Sequence, residues 1–146
     1  MDEAWILSEK TAQAADAVGA RSISAEQKYD SGSLQAKWSG RVDAHGRYLL
    51  DGPENWLYAN GAKEYQVTWD HGKKAGAETY WDDKGRIRWK WEHRPDGLST
   101  WIQYWPSGNL KHVSHWRNRV CEGEALSYDP DGKLTGRHYF ENGELK

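Results

Sequence analysis

A short phrase recurs along this chain and limits its fold more than any other feature: an aromatic residue or its neighbour, two or three turn-forming residues, and a glycine. The phrase ends at Gly32, Gly61, Gly85, Gly108 and Gly132, so successive copies are 29, 24, 23 and 24 residues apart. Turn pairs such as Asn-Gly and Asp-Gly favour backbone with positive φ, so each copy predicts the tip of a β-hairpin. A second set of turns follows each strand, at 70–72, 95–97 and 118–119.

Strands and turns therefore alternate, which predicts an all-β, elongated antiparallel meander of about ten short strands in a single layer. This β-hairpin repeat domain covers residues 26–146 and contains about five repeats of about 24 residues. Residues 1–25 lie outside the repeat. Their Ala-rich segment predicts a linker or a short helix that ends near Gly19.

Between the turns, the residues alternate with a period of two, as expected for strands with one apolar face. In residues 86–92, for example, Trp89 and Trp91 point to one face and Arg88 and Lys90 to the other. If the hairpins are in register, nine of the ten Trp share one face. We expect the opposite face to be mostly charged.

The composition indicates a folded domain built on aromatic residues. The chain has ten Trp and eight Tyr but one Phe, whereas disordered chains are poor in aromatic residues. Its 20 basic and 22 acidic residues nearly balance, which excludes binding of a polyanion by bulk charge. A single cysteine excludes an internal disulfide framework and a Cys-based zinc site.

These phrases resemble the MORN-type repeat, and specifically the variant module of the YwqK-like antitoxin proteins. Residues 58–76 and 101–118 carry the likeness most closely, and it extends over about residues 26–146. The resemblance implies a β-hairpin scaffold of a family whose members bind proteins or lipids. Trp-rich versions are also similar to modules appended to bacterial polysaccharide-degrading enzymes.

The chain departs from that pattern four and six positions after the tip glycine, where the usual module has small or polar residues. Here those positions hold Tyr65, Trp89 and His112 (plus four) and Trp38, Val67 and Trp91 (plus six). The scaffold does not require aromatic residues there, so we expect them to contact a ligand. The preference for Trp and Tyr over Phe favours a wet surface, because these rings carry a polar group.

We therefore predict a non-catalytic module that binds an extended polysaccharide, with a β-linked glycan as the expected ligand. Indole rings would stack on the C–H faces of the sugars, and polar side chains would bind their hydroxyl groups. The candidate ligand-binding residues are Trp38, Tyr65, Trp89, Trp91, His112, Gln103, Arg88 and Glu92. We expect an extracellular or periplasmic parent protein with a catalytic domain beside the module, although the acidic first residues do not resemble a signal peptide.

Other functions are less consistent with the residues, and we expect no catalytic residue, metal or cofactor. His112 and His115 are three apart, which places them on opposite faces of a strand and unable to share a metal. Acidic residues accompany the basic residues Arg86, Arg88 and Lys90, which argues against binding of nucleic acid. A pI of about 6.3 argues against binding to a membrane surface. The alternative is a protein–protein interaction or dimerisation module of the MORN and antitoxin type, because aromatic patches also form protein interfaces.

Overall fold

The computed structural model describes residues 22–146, which form thirteen strands and, within that range, no helix. The strands are β1 (Ile23–Lys28), β2 (Leu34–Val42), β3 (Tyr48–Leu50), β4 (Gly52–Leu57), β5 (Lys63–Asp70), β6 (Lys73–Trp81), β7 (Ile87–His93), β8 (Leu98–Tyr104), β9 (Leu110–Arg117), β10 (Val120–Cys121), β11 (Gly123–Tyr128), β12 (Leu134–Glu141) and β13 (Glu144–Leu145). They form one open antiparallel sheet in meander order, with β3 and β10 paired to β2 and β9 off the main path. The predicted all-β meander is confirmed, and the helix predicted before Gly19 lies outside the described residues.

The chain divides into two compact units, Met1–Lys74 and Ala75–Lys146. The N-terminal unit contains the described strands β1 to β5, and the C-terminal unit contains β7 to β13. The boundary between the two units falls within β6.

The predicted hairpin tips are present. All five tip glycines have φ between 80° and 93°, a region that L-residues with a Cβ avoid. At each tip the glycine N–H donates to the carbonyl three residues earlier, as from Gly108 to Trp105 at 2.9 Å. Within each unit the meander places these tips at one end of the strands and the predicted second turns at the other end. The second turns have positive φ at Gly72, Gly97 and Asn118.

The longer first spacing, from Gly32 to Gly61, has a structural cause that the repeat did not predict. Strand β2 continues to Val42, a turn follows at 43–47, and β3 folds back so that Leu50 lies opposite Gly40. Asp43 stabilises this turn by accepting the backbone N–H groups of His45 and Arg47, both at 2.9 Å. The hydrogen bond from Arg47 lowers the pKa of Asp43.

The core of the N-terminal unit lies on one face of its strands. The register places Trp38, Trp56 and Trp69 on this face, opposite Ala25, Ala36 and Gly52 respectively. Trp38 keeps 3 % of its surface exposed and packs with Ala36 and Leu50, while Val67 is fully buried. This face is therefore a packed core, although the strands form a single layer.

Glu54 is buried within this core, with 1 % of its surface exposed. The indole N–H groups of Trp56 and Trp69 donate to its two carboxyl oxygens, each at 2.7 Å. A buried carboxyl group is tolerated where its oxygens are hydrogen-bonded. Two of the core Trp residues therefore act both as packing groups and as donors.

Candidate functional site on the aromatic face of the C-terminal unit

Four Trp residues share one face of the C-terminal unit, which we call its aromatic face. Trp89 lies opposite Tyr80 and Gln103, Trp91 lies opposite Trp101, and Trp116 lies opposite Ser99. Directly paired residues in an antiparallel sheet project to the same side. The predicted segregation of Trp holds for these four residues and, in the N-terminal unit, for Trp38, Trp56 and Trp69.

Two other Trp residues expected on the shared face lie where regular alternation is interrupted. Trp81 is at a β-bulge next to Tyr80, and Tyr80 is the residue that faces Trp89. Trp105 lies in the turn beyond β8, where its indole N–H donates to the carbonyl of Tyr128 at 3.0 Å. The bulge and the turn therefore take these two residues out of the regular alternation.

Five half-buried rings form a continuous line on the aromatic face, which we call the aromatic row: Tyr80, Trp89, Trp101, Trp91 and His93. Tyr80 and Trp89 stack with centroids 5.6 Å apart, and Trp89 lies 5.4 Å from Trp101 in a tilted arrangement. Trp101 is 5.0 Å from Trp91, which stacks on His93 at 5.9 Å. Mutual contacts fix these rings, yet each retains solvent-accessible surface.

A buried hydrogen-bonded chain lies at one end of the aromatic row. Glu78, 1 % exposed, is 2.9 Å from Nε2 of His93, and Nδ1 of the same ring is 2.8 Å from Oγ of Ser99. Acid, imidazole and hydroxyl are the groups of a nucleophilic triad. Ser99, however, lies inside β8 and is paired on both sides, with His93 and Trp116. The His93 ring therefore provides a hydrogen-bond partner for the buried Glu78 carboxyl group, as the indole N–H groups of Trp56 and Trp69 do for Glu54.

A cavity of about 490 Å³ opens on the aromatic face next to the row. Its described lining includes His112, Ser114 and Trp116 of β9, which lie directly opposite Gln103, Trp101 and Ser99 of β8. The other described lining residues come from the two turns and strands that follow: Arg119, Val120, Cys121, Ala125, Phe140, Asn142 and Gly143. The cavity therefore lies one strand away from Trp101 of the aromatic row.

Two titratable groups in this cavity are shifted toward their neutral forms. Burial lowers the pKa of His112 below its usual value of 6.5, and its Nδ1 lies 3.2 Å from Oγ of Ser127. Burial, with the neighbouring Glu122 carboxylate, raises the pKa of the Cys121 thiol. A thiol of raised pKa is a poor nucleophile at neutral pH. These groups therefore suit binding through hydrogen bonds and packing.

The structure brings together half of the residues predicted to contact a ligand. Trp89, Trp91, Gln103 and His112 share the aromatic face. Glu92 lies opposite Ala77 and Thr100 on the other face, and alternation in β7 places Arg88 on that side as well.

The two remaining candidates belong to the N-terminal unit and are buried. Trp38 is 3 % and Tyr65 7 % exposed, so neither presents a ring face to solvent. The expectation that they contact a ligand does not fit this geometry, because a buried ring offers no face to a sugar. We therefore leave Trp38 and Tyr65, as well as Arg88 and Glu92, out of the binding surface proposed below.

Sequence reasoning missed several residues of this surface. Trp101 is not among the predicted ligand-binding residues, yet its ring joins Trp89 to Trp91 in the aromatic row. Arg119 was predicted only as part of a turn, and Cys121 was not a candidate for any site. Their meeting in one cavity depends on which turns the fold places side by side. The sequence signal for Arg119 was its place in a two-residue turn at the end of the Trp116 strand.

A group of possible metal ligands lies in the N-terminal unit, where ligand atoms of Asp51, Asp70 and His71 lie within 4.8 Å of one another. Internal contacts already engage this group. Arg41 Nε lies 2.6 Å from Asp51, and the His71 backbone N–H donates to Asp51 at 3.0 Å and lowers its pKa. The group therefore holds together the turn after β5 and the start of β4.

Comparison with known families identifies one repeat in the chain. The family model described as MORN repeat variant matches residues 122–142, which comprise β11, β12 and the turn between them. No curated protein gives a significant match to the chain. In the described part of the chain, no helix is long and apolar enough to cross a membrane. The match supports the repeat architecture for this hairpin.

Proposed function

We propose that the C-terminal unit is a non-catalytic module that binds an extended carbohydrate across its aromatic face. The observation that carries the proposal is the aromatic row, in which the rings of Trp89, Trp91 and Trp101 are half-buried and not enclosed. Indole offers an apolar surface to the C–H face of a sugar ring and keeps a polar N–H for water or a hydroxyl group. Gln103 and His112, directly paired across β8 and β9, add hydrogen-bonding groups on the same face.

The dimensions of the surface favour a ligand longer than one sugar. The aromatic face from β6 to β9 crosses four neighbouring strands, which corresponds to about 14 Å at the usual strand spacing. A chain of several sugars would contact Tyr80, Trp89 and Trp101 in turn. A polysaccharide with β-linked sugars fits this extended path, and a secreted parent protein with a polysaccharide-degrading domain would be its natural setting.

The hydrogen-bonded chain of Glu78, His93 and Ser99 fits a structural role better than a catalytic one. Catalysis at Ser99 would need N–H donors aimed at an oxyanion. The backbone of β8 is instead paired with β7 and β9 on its two sides. We therefore expect the purified protein to release no reducing ends from polysaccharides, and Ser99→Ala to leave glycan binding unchanged.

The test is the affinity of Trp89→Ala for insoluble and soluble polysaccharides. Stacking on an aromatic ring contributes about 1–3 kcal/mol in the best-studied analogue, base stacking, so the affinity should fall about 5- to 150-fold. Tyr139→Ala is the matched control, because Tyr139 is an exposed aromatic residue whose place in β12 is on the opposite face. Equal affinities of the two variants would contradict the proposal.

The second candidate function is a protein–protein interaction or dimerisation surface. The MORN repeat variant at residues 122–142 and the half-buried Trp residues favour it, because Trp and Tyr are enriched in protein interfaces. Sedimentation of the protein at rising concentration separates the two functions. Self-association that Trp89→Ala abolishes and oligosaccharides leave unchanged would favour the protein interface.

A further inference from the structure

We infer that the cavity beside the aromatic row binds a carboxylate-bearing sugar, so that the ligand of the module is an acidic glycan. The inference rests on the proposed function and adds the chemical class of the sugar. It depends on three features of the cavity: its position, its charge and the chemistry of its walls.

The position of the cavity makes it a continuation of the aromatic row. Ser114 and Trp116, on its wall, lie directly opposite Trp101 and Ser99. Neighbouring strands are about 4.8 Å apart, so a glycan that stacks on Trp101 needs to extend by only one strand to enter the cavity. The cavity and the row therefore form one surface of the C-terminal unit.

The charge of the cavity comes from a single residue. Arg119 is the one Lys, Arg, Asp or Glu among the described residues that line it, and burial favours the neutral form of His112 by lowering its pKa. Within residues 22–146 the guanidinium of Arg119 has no hydrogen bond or ion pair. The carboxylate nearest in sequence, Glu122, instead accepts the backbone N–H of Asn142 at 3.1 Å. Arg119 is thus available to an anionic ligand.

The walls of the cavity suit a sugar ring. Trp116 and Phe140 offer apolar surface, and the indole N–H of Trp116 is already satisfied by Ser114 Oγ at 2.8 Å. His112 and Asn142 offer hydrogen-bonding groups to hydroxyls from two sides of the cavity. A planar guanidinium pairs with a carboxylate through two parallel hydrogen bonds, and one cation matches one carboxylate. A uronic acid combines these features: a ring with C–H faces, several hydroxyls and one carboxylate.

The experiment measures binding of the full chain to short galacturonate and mannuronate oligosaccharides, to the methyl esters of the same oligosaccharides, and to neutral β-glucan oligosaccharides. Esterification removes the charge and keeps the sugar ring. We expect the acids to bind at least about tenfold more tightly than their esters, in line with a charge-assisted hydrogen bond. Arg119→Asn should lower the affinity for the acids to that for the esters, and Arg119→Lys should retain part of the preference.

The substitutions are chosen to preserve the fold. Arg119 has φ of 67°, and Asn tolerates this left-handed backbone, so Arg119→Asn keeps the turn. Arg137→Asn is the matched control, because Arg137 is an exposed arginine that faces Leu126 on the other side of the same unit. It should leave every affinity unchanged.

The outcomes separate the inference from the proposed function. Equal affinity for acids and esters, or equal losses in Arg119→Asn and Arg137→Asn, would overturn the acidic ligand. Binding of neutral oligosaccharides that depends on Trp89 and not on Arg119 would retain the proposed function and overturn the inference alone. Failure of all the oligosaccharides to bind would overturn both.

Discussion

Two buried glutamates show how this chain uses its nitrogen-containing rings. Glu54 in the N-terminal unit and Glu78 in the C-terminal unit are each 1 % exposed. Indole N–H groups satisfy the first, and the imidazole of His93 contacts the second at 2.9 Å. Phe in place of these rings would fill similar space but would remove these hydrogen bonds from the carboxyl groups. At the scale of single residues, the preference for Trp therefore has a structural reason as well as the proposed binding role.

The substitution Glu54→Gln tests this structural role. The Gln side chain keeps one oxygen, which can accept one of the two indole N–H groups. Its NH₂ group replaces the other oxygen and cannot accept, so the second indole N–H loses its partner. We expect this loss to lower the free energy of unfolding by about 1–3 kcal/mol. Urea denaturation of both proteins measures the difference. The control is Glu124→Gln, because Glu124 lies at the surface and is 3.9 Å from Arg137. Its effect should stay within about 0.5 kcal/mol, and equal effects of the two variants would contradict the role given to Glu54.

The lowered pKa of His112 predicts a pH-dependent stability. The unfolded chain binds a proton at His112 more readily than the folded chain does, so the contribution of this residue is present above pH 6.5 and declines as the pH falls below that value. The free energy of unfolding should be measured in urea at about pH 7.5 and at about pH 5. Between these two pH values, the wild type should lose more of this free energy than His112→Gln does. Parallel pH profiles of the two proteins would refute this prediction.

At the scale of structural elements, the hairpin tips differ in sequence but share a glycine with positive φ. The tips at Gly61 and Gly108 both have positive φ, and a Cβ added to either glycine would meet no atom within 4 Å. The cost of a side chain at these tips is therefore conformational and not steric. Gly40 differs, since its added Cβ would overlap the ring of Tyr48, which lies on it.

The tip at Gly108 provides a graded test of that cost. At φ of 93°, alanine should lower the free energy of unfolding by about 1 kcal/mol, while asparagine, which tolerates left-handed backbone better, should cost less. Gly136→Ala is the control, because Gly136 has no positive φ and its added Cβ would make only ordinary contacts, the nearest at 3.7 Å. Thermal unfolding should rank the proteins as wild type, then Asn, then Ala at position 108. A larger loss with Asn than with Ala would contradict the conformational explanation.

At the scale of the whole molecule, Trp38 of the N-terminal unit and Trp89 and Trp91 of the C-terminal unit differ in burial. The N-terminal unit buries Trp38 against Leu50 and Ala36. The C-terminal unit leaves Trp89 and Trp91 half-buried beside a cavity. Stability should therefore depend more on Trp38 than on Trp89 or Trp91, and the proposed ligand binding should depend on Trp89 and Trp91.

Comparing Trp38→Ala with Trp89→Ala measures this division. Removal of a core Trp costs about 3–5 kcal/mol, whereas loss of the stacking contacts of a half-buried ring costs about 0.5–1.5 kcal/mol. Melting temperature and glycan affinity should be determined for both variants. Trp38→Ala should melt much earlier, and Trp89→Ala should bind glycan more weakly with a small change in melting. A large loss of stability with unchanged affinity in Trp89→Ala would make Trp89 a core residue.

The sequence alone was sufficient to predict the hairpins, because their causes are local. Positive φ at Gly32 or Gly108 depends on the residues of one turn, and the alternation of Trp89 and Trp91 with Lys90 depends on the period of one strand. Trp89, Trp91, Gln103 and His112 could likewise be placed on one face by counting residues. The turn at 43–47 escaped prediction because it interrupts the repeat that supplied the pattern.

Only the tertiary structure decided which side chains at equivalent positions of the repeat are buried. Val67 and Trp91 occupy the same position of the repeat, yet Val67 is fully buried and Trp91 is not. Trp38, at that position too, is covered because the extra strand β3 brings Leu50 against it. Burial depends on what neighbouring strands and inserted turns place over a side chain, and no local pattern contains that information. The same is true of the cavity at Arg119, which exists because separate turns meet beside β9.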